Sequence, residues 1–193
     1  MEATPAPTAP PLKLIGIALI GAAIAVALGI YGSQHTLPIS KSILGNGLFF
    51  SGTLNMKAWL ATGVATLALI QIYTALRMYS RIRIPRQMPD WLPTVHRVSG
   101  TGAFLLSLPV AYQCLYTLGF QFNSPIDTTR IAVHSVLGCF FYGIFVTKML
   151  MLRVDGLPKG VLPLVGGLTF ATVIAIWFTS AYWFFQNIGF PQF

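Results

Sequence analysis

The chain has 193 residues, of which 55% are apolar and 8% are charged, and its formal net charge at pH 7 is +8. Soluble domains carry about 25% charged residues, so this composition excludes an ordinary soluble domain and indicates a membrane protein. The basic residues flank apolar stretches and form no stripe interleaved with aromatic residues. This pattern predicts contact with anionic lipid headgroups and no binding of nucleic acid.

The N-terminal segment MEATPAPTAPPLK is rich in proline and alanine and cannot build a core. It has no basic start, so the apolar stretch after it is interpreted as a retained membrane span and not as a secretory signal. We therefore expect a tail over residues 1–13, a transmembrane domain over residues 14–186 and a short C-terminal tail over residues 187–193.

Five stretches of at least 17 residues contain no charged side chain. Helices of this length and composition cross the hydrocarbon core of a bilayer. The sequence therefore predicts an all-α fold, a polytopic transmembrane bundle of five helices, with no room for a soluble catalytic domain. The predicted spans are Leu14–Tyr31, Ala58–Ala75, Val98–Phe120, Ile131–Thr147 and Val161–Phe185.

Lysine and arginine residues collect in two of the loops. The loop between the second and third spans holds five arginines and one aspartate, and the loop between the fourth and fifth holds Lys148, Arg153 and Lys159 beside Asp155. Because cytoplasmic loops retain basic residues, both loops are predicted to be cytoplasmic. The N-terminus is then also cytoplasmic, in a multi-pass protein of the cell inner (plasma) membrane. Lys148 is expected to extend its side chain to the headgroups and to have no catalytic role.

The two cysteines, Cys114 and Cys139, lie inside the third and fourth predicted spans. If these spans form an antiparallel hairpin, the position level with Cys114 is about residue 134. The two sulfurs would then be offset by about 7 Å along the helix axis, which is outside disulfide reach. We expect both thiols to be buried and apolar in character, without the spacing of a metal site.

His134 is the strongest candidate for a functional residue, because polar groups within a bilayer are costly. Gly138 lies one turn further on the same helical face, followed by the aromatic residues Phe141, Tyr142 and Phe145. A haem ligated by an imidazole needs a small residue one turn away and apolar walls around the ring. The pattern predicts haem b at His134, with a simple helix-packing contact at Gly138 as the alternative.

A second histidine with the same spacing to a glycine occurs in the segment HRVSG, which contains His96 and Gly100. His96 is a second candidate iron ligand, and its neighbour Arg97 could pair with a haem propionate or a quinone oxygen. The alternatives are an interfacial histidine bonded to a lipid phosphate or a loop carbonyl, and an arginine that only anchors the topology.

Helix geometry predicts that His96 and His134 do not share one haem. The 18 residues from His96 to Cys114 correspond to about 27 Å along a helix, so the two imidazoles lie near opposite faces of the bilayer. Each would need another partner at its own depth. The outer candidates are His35 and Gln113, and the inner candidates are Met78, Met149 and Met151.

The segments HRVSGTGAFLLSLPVAYQCLY and HSVLGCFFYGIFVTKMLMLR, with LNMKAWLATG at the start of the second span, resemble a bacterial family of uncharacterised small membrane proteins. The resemblance covers most of the chain from Leu54 to Phe184. More remotely, the histidine-bearing spans resemble transmembrane b-type cytochromes of the cytochrome b561 and ferric reductase kind, which implies electron transfer between haems. The cytochrome b561 pattern uses four histidines on four spans, whereas this chain has three histidines in total.

Two hypotheses for the function follow. The first is a membrane electron-transfer protein that contains haem b, with a quinone as a further cofactor, and passes electrons between a quinol or redox partner and the other membrane subunits of a larger redox complex. The alternative is a cofactor-free accessory subunit of a respiratory or photosynthetic complex. A transporter is less favoured, because few ionisable groups lie near the hydrocarbon and no inverted repeat is evident.

Overall fold

The computed structural model describes residues 9–35, 44, 49–84, 86–120 and 128–190. Within these ranges the chain is helical and has no strand, and five helices are long and apolar enough to cross a membrane. The predicted all-α, five-span fold is confirmed, and the helices imply contact with lipid. Most of the predicted N-terminal tail and the last three residues of the predicted C-terminal tail lie outside the described residues.

Each predicted span lies within or almost within one helix, and most of the helices extend beyond the predicted bounds. Two of them continue into π-helical turns, which we call the first π segment, Gln113–Leu118, and the second π segment, Phe178–Tyr182. The α-helices are α1 Pro11–Gln34, α2 Thr53–Met78, α3 Leu92–Tyr112, α4 Thr128–Met151, α5 Val161–Trp177 and the short α6 Trp183–Asn187.

Prolines account for the early start of two helices. Both α1 and α3 carry a proline in the first two helical positions, where its missing N–H would have no partner inside the helix. Pro11 and Pro93 therefore begin the helices several residues before the apolar runs that the prediction used.

The helices α2 to α5 surround a common centre. Helix α2 packs between α3 and α5, α5 packs on α4, and α1 packs on the outside of α4. Helices α3 and α4 meet through side chains: the rings of Phe104 and Phe145 stack with centroids 4.6 Å apart, and the Tyr142 hydroxyl donates to the Ser107 carbonyl over 3.1 Å. Space remains between α3 and α4 beyond these contacts.

The closest approach between helices is that of α1 and α4, at Gly21 and Gly143. A Cβ atom added at Gly21 would lie 2.5 Å from the Gly143 carbonyl oxygen, and one added at Gly143 would lie 2.5 Å from the Gly21 carbonyl oxygen. Small residues at such crossings let transmembrane backbones touch. This contact fixes the position of α1 on the bundle.

The end of α1 is attached to the end of the third span. The Phe120 N–H donates to the Gly32 carbonyl over 2.9 Å, and a Cβ atom at Gly32 would lie 2.8 Å from the Phe120 ring. Because α1 contacts both α4 and the segment after α3, it covers the gap between these two helices on one side.

Candidate functional site

A cavity of about 350 Å³ lies between the first turns of α2 and α4, the last turns of α3 and α5, and the two π segments. The charge distribution of the loops predicts that this end of the bundle is outside, so we call it the outer cavity. Pockets for small molecules and cofactors have volumes of about 300–1,000 Å³, mostly apolar walls and a few polar groups. The outer cavity has this character, with Lys57, Arg130, His134, Ser135 and Thr179 among its polar lining residues.

Both π segments line the outer cavity. The first contributes Cys114 and Leu118, and the second contributes Thr179 and Ser180. Such turns are rare and occur often at functional sites. The first follows Pro109, which lies inside α3 and cannot donate a backbone hydrogen bond. Pro109 was therefore a sequence signal for the altered turn, whereas the second segment contains no comparable signal.

His134 projects into the cavity and is oriented by Thr179, with 3.1 Å between Nδ1 and the threonine hydroxyl oxygen. The Thr179 hydroxyl lies 3.0 Å from the carbonyl oxygens of both Ala175 and Ile176, so its single proton is donated there. We therefore assign the proton of the imidazole to Nδ1, which donates to Thr179. Nε2 then keeps its lone pair, which is the arrangement found in metal-ligating histidines.

Gly138 lies one turn from His134 and also lines the outer cavity. A Cβ atom added at Gly138 would meet no described atom within 4 Å. The open space that a planar cofactor requires beside the imidazole is therefore present. Gly138 differs in this respect from Gly143, the packing glycine of the same helix, which the sequence analysis did not identify.

Cys114 faces His134 across the cavity. Its thiol lies within interaction range of both the His134 imidazole and the Lys57 ammonium group. The prediction that Cys114 is level with residue 134 is confirmed. Cys139 also lines the cavity and is buried, whereas Cys114 is partly buried. Among the described residues, no group of three or more His, Cys, Asp or Glu side chains comes together as a metal-ion site.

Arg130, which the sequence analysis did not identify, lies at the edge of the cavity. Its Nη1 donates to the Thr179 carbonyl oxygen over 2.7 Å, and its guanidinium carbon lies 3.8 Å from the centroid of the Trp183 ring. The hydrogen bond and the cation–π contact hold the guanidinium in place. Trp183, near the end of the fifth span, therefore supports this arginine.

His96 lies at the opposite end of the bundle and is held between α2 and α3. Its Nδ1 lies 2.8 Å from the Thr74 hydroxyl oxygen, which in turn lies 2.8 Å from the Ile70 carbonyl oxygen. The Gln71 amide donates to the His96 carbonyl oxygen and, over 2.8 Å, to the Ser99 hydroxyl. His96 and His134 therefore share one pattern, a ring nitrogen paired with a threonine on the neighbouring helix.

The surroundings of the two glycines differ. A Cβ atom at Gly100 would lie 3.2 Å from the Gln71 side-chain amide, so the space one turn from His96 is filled. Arg97 is exposed. The predicted cofactor contacts of His96, Gly100 and Arg97 thus stay predictions, and the described geometry gives Gly100 a role in packing α3 on α2.

The two histidines lie at different depths, as predicted. His96 is within electrostatic range of Lys148, at the inner end of α4. Lys148 follows His134 by 14 residues on the same helix, which corresponds to about 21 Å. Of the predicted inner partners of His96, Met149 is exposed, and Met151 is buried in a cluster with Ile17.

The predicted outer partners of His134 lie outside the cavity lining. His35 is exposed at the end of α1, where its ring stacks on Tyr31 with centroids 3.9 Å apart and its Nδ1 lies 3.0 Å from the Tyr31 carbonyl oxygen. Gln113 is fully buried. In the described part of the chain, His134 is therefore the one imidazole of the outer cavity.

Comparison with known proteins gives a family and no activity. A model of the family DUF6529, described as a family of unknown function, matches residues 14–192. No match was found among curated proteins or among solved structures. The comparisons do not show the cytochrome resemblance, which stays a prediction.

Proposed function

The chain belongs to the DUF6529 family of unknown function, and we propose that it is a membrane electron-transfer protein that holds one b-type haem in its outer cavity. It would exchange electrons between a quinol or redox partner and a larger membrane complex. One observation carries the proposal: the His134 imidazole is paired with Thr179 through Nδ1 and lies one turn from open space at Gly138.

The residues present fit a haem in three respects. The Nε2 atom of His134 has a lone pair for iron, and its other ring nitrogen has the hydrogen-bonded partner typical of metal-ligating histidines. The apolar part of the cavity includes Val64, Phe141 and Val173, which would exclude water from a bound haem. The volume of about 350 Å³ falls within the range of cofactor pockets.

The described geometry favours ligation by one histidine, because His35 and His96 do not line the outer cavity. A single histidine holds haem iron in several protein classes. This differs from the paired histidines of the cytochrome b561 pattern. The bound haem would supply the one-electron chemistry, while the protein orients the imidazole through Thr179 and keeps water away.

The test is haem content of the purified protein in detergent, measured by a reduced-minus-oxidised spectrum and by pyridine haemochrome. We expect about one haem per chain, lost in His134→Ala and kept in His96→Ala and His35→Ala. Loss of all haem from His96→Ala, in protein that still folds, would instead indicate one haem shared by both histidines. Folded wild-type protein without haem would refute the proposal and favour the cofactor-free accessory subunit.

A second test uses the glycine beside His134. Gly138→Leu should exclude the haem and leave the bundle folded, because the larger side chain enters the cavity and not a helix interface. The matched control is Gly166→Leu on α5, where an added Cβ atom also meets nothing within 4 Å and the residue lies outside the cavity lining. Equal haem content in the two variants would contradict a cofactor edge at Gly138.

A further inference from the structure

The outer cavity carries two basic side chains and, among its described lining residues, no acidic one. Lys57 comes from the first turns of α2 and Arg130 from the first turn of α4. Clefts lined by charges of one sign and by apolar walls attract ligands of the opposite sign. The cavity is therefore electrostatically suited to a ligand that carries negative charge.

The polarity of the cavity changes along its length. Lys57 and Arg130 lie at the outer end, and the buried apolar cluster of Val64, Phe141 and Val173 lies deeper. Val64 follows Lys57 by seven residues on α2, a depth of about 10 Å. A molecule that fits this gradient has an apolar body and an acidic end.

Arg130 is well placed to bind such an acidic end. The planar guanidinium presents its donors in a geometry that matches a carboxylate or phosphate. The Trp183 ring and that carbonyl fix its plane at the cavity edge. Lys57 reaches the same cavity from α2, within electrostatic range of the Cys114 thiol.

We propose that Lys57 and Arg130 form an acid-binding rim, which holds the carboxylate or phosphate of a largely apolar ligand and so sets its orientation in the outer cavity. The inference rests on the proposed function in one respect: if the ligand is a haem, the acidic groups that Lys57 and Arg130 bind would be the haem propionates. An anionic lipid headgroup offers the same chemistry, and the experiment separates these two sources.

The experiment measures binding of metal-free protoporphyrin IX and of its dimethyl ester to the purified full-length protein in neutral detergent, by porphyrin fluorescence. The two probes differ only in their acidic groups, and neither needs an iron ligand. We expect the diacid to bind at least tenfold more tightly than the ester. Lys57→Met combined with Arg130→Gln should abolish this preference, whereas Arg153→Gln, at an exposed cation outside the cavity, should keep it.

The same measurement in His134→Ala separates the rim from the haem ligand. Retained preference for the diacid in His134→Ala, which should no longer bind haem, is expected if the rim acts independently of the iron ligand. A wild-type protein that prefers the diacid but binds no haem would overturn the proposed haem function and leave the rim standing. Equal binding of diacid and ester by the wild type, or an unchanged preference in the double variant, would overturn the rim. Lys57→Met alone, which removes no described backbone bond, should lower the preference if the double variant does not fold.

Phosphatidylglycerol added to the detergent identifies the source of the acidic group. If it displaces the porphyrin from the wild type but not from Lys57→Met, the rim binds lipid phosphate. If it has no effect while the diacid preference persists, the rim is selective for carboxylates such as the propionates. Displacement of the porphyrin to the same extent from both proteins would show that the lipid acts elsewhere and would count against a phosphate site at the rim.

Discussion

The contact between α1 and α4 gives a quantitative prediction for Gly21→Ala. An added Cβ atom would lie 2.5 Å from the Gly143 carbonyl oxygen and would also clash with the Thr147 hydroxyl oxygen, whereas ordinary contacts begin near 3.4 Å. The threonine hydroxyl can rotate away, but the backbone oxygen cannot. Helices α1 and α4 must therefore separate by about 0.9 Å at this point.

Such overpacking costs about 1–3 kcal/mol. Replacement of glycine by alanine inside a helix also stabilises the helix by about 1 kcal/mol, which partly hides the cost. Gly16→Ala, on the same helix, provides the matched control, because a Cβ atom there meets nothing within 4 Å. The helix term is common to both variants, so their difference in unfolding free energy should be about 1–3 kcal/mol, with Gly21→Ala the less stable.

The assay is reversible unfolding in mixed micelles, with an increasing fraction of denaturing detergent, followed by tryptophan fluorescence. Gly143→Ala should be destabilised to a similar extent, since its Cβ atom would lie 2.5 Å from the Gly21 carbonyl oxygen. A Gly21→Ala protein as stable as Gly16→Ala would show that the two backbones do not touch. In that case, the description of α1 as packed on α4 through these glycines would be wrong.

Three further predictions concern orientation, a hydrogen bond and a packing glycine. In a cysteine-free background, an impermeant thiol reagent applied from outside should label Phe190→Cys and spare Ile84→Cys, both at exposed positions; the reverse pattern would invert the topology. Tyr142→Phe removes the bond to Ser107 and should lower the unfolding free energy by about 0.5–1.5 kcal/mol, measured in the same micelles; no change would remove this link between α3 and α4. Gly100→Ala should cost less than Gly21→Ala in that assay, because its Cβ atom meets a flexible side-chain amide and no backbone; an equal cost would argue against this explanation.

The sequence was sufficient for features that depend on local composition or on helical periodicity. A helix that crosses hydrocarbon must be long and free of charge, so the five spans could be read directly from the chain. His134 and Gly138 share a face because α-helical periodicity places residues four apart in line. The prediction that Cys114 lies level with residue 134 followed from counting residues along two connected antiparallel helices.

The tertiary structure decided what lies against each residue. Gly138, Gly100 and Gly143 all lie inside transmembrane helices, yet Gly138 faces a cavity, Gly100 faces the Gln71 amide and Gly143 touches the Gly21 backbone. Each outcome depends on which helix is adjacent and how closely it approaches, and no local pattern contains that information. The helix-packing role that was considered for Gly138 belongs instead to Gly143.

The same reason explains the residues of the outer cavity that the sequence did not reveal. Thr179 orients His134 from 45 residues away, and Lys57 and Arg130 lie at the beginnings of helices, where they looked like ordinary flanking charges. Hydrophobicity and charge along the chain determined the five helices, among the described residues, that are long and apolar enough to cross a membrane. Only the packing of α2 to α5, which brings distant helix ends to one level, determined that a histidine, two cations and an open space share one cavity.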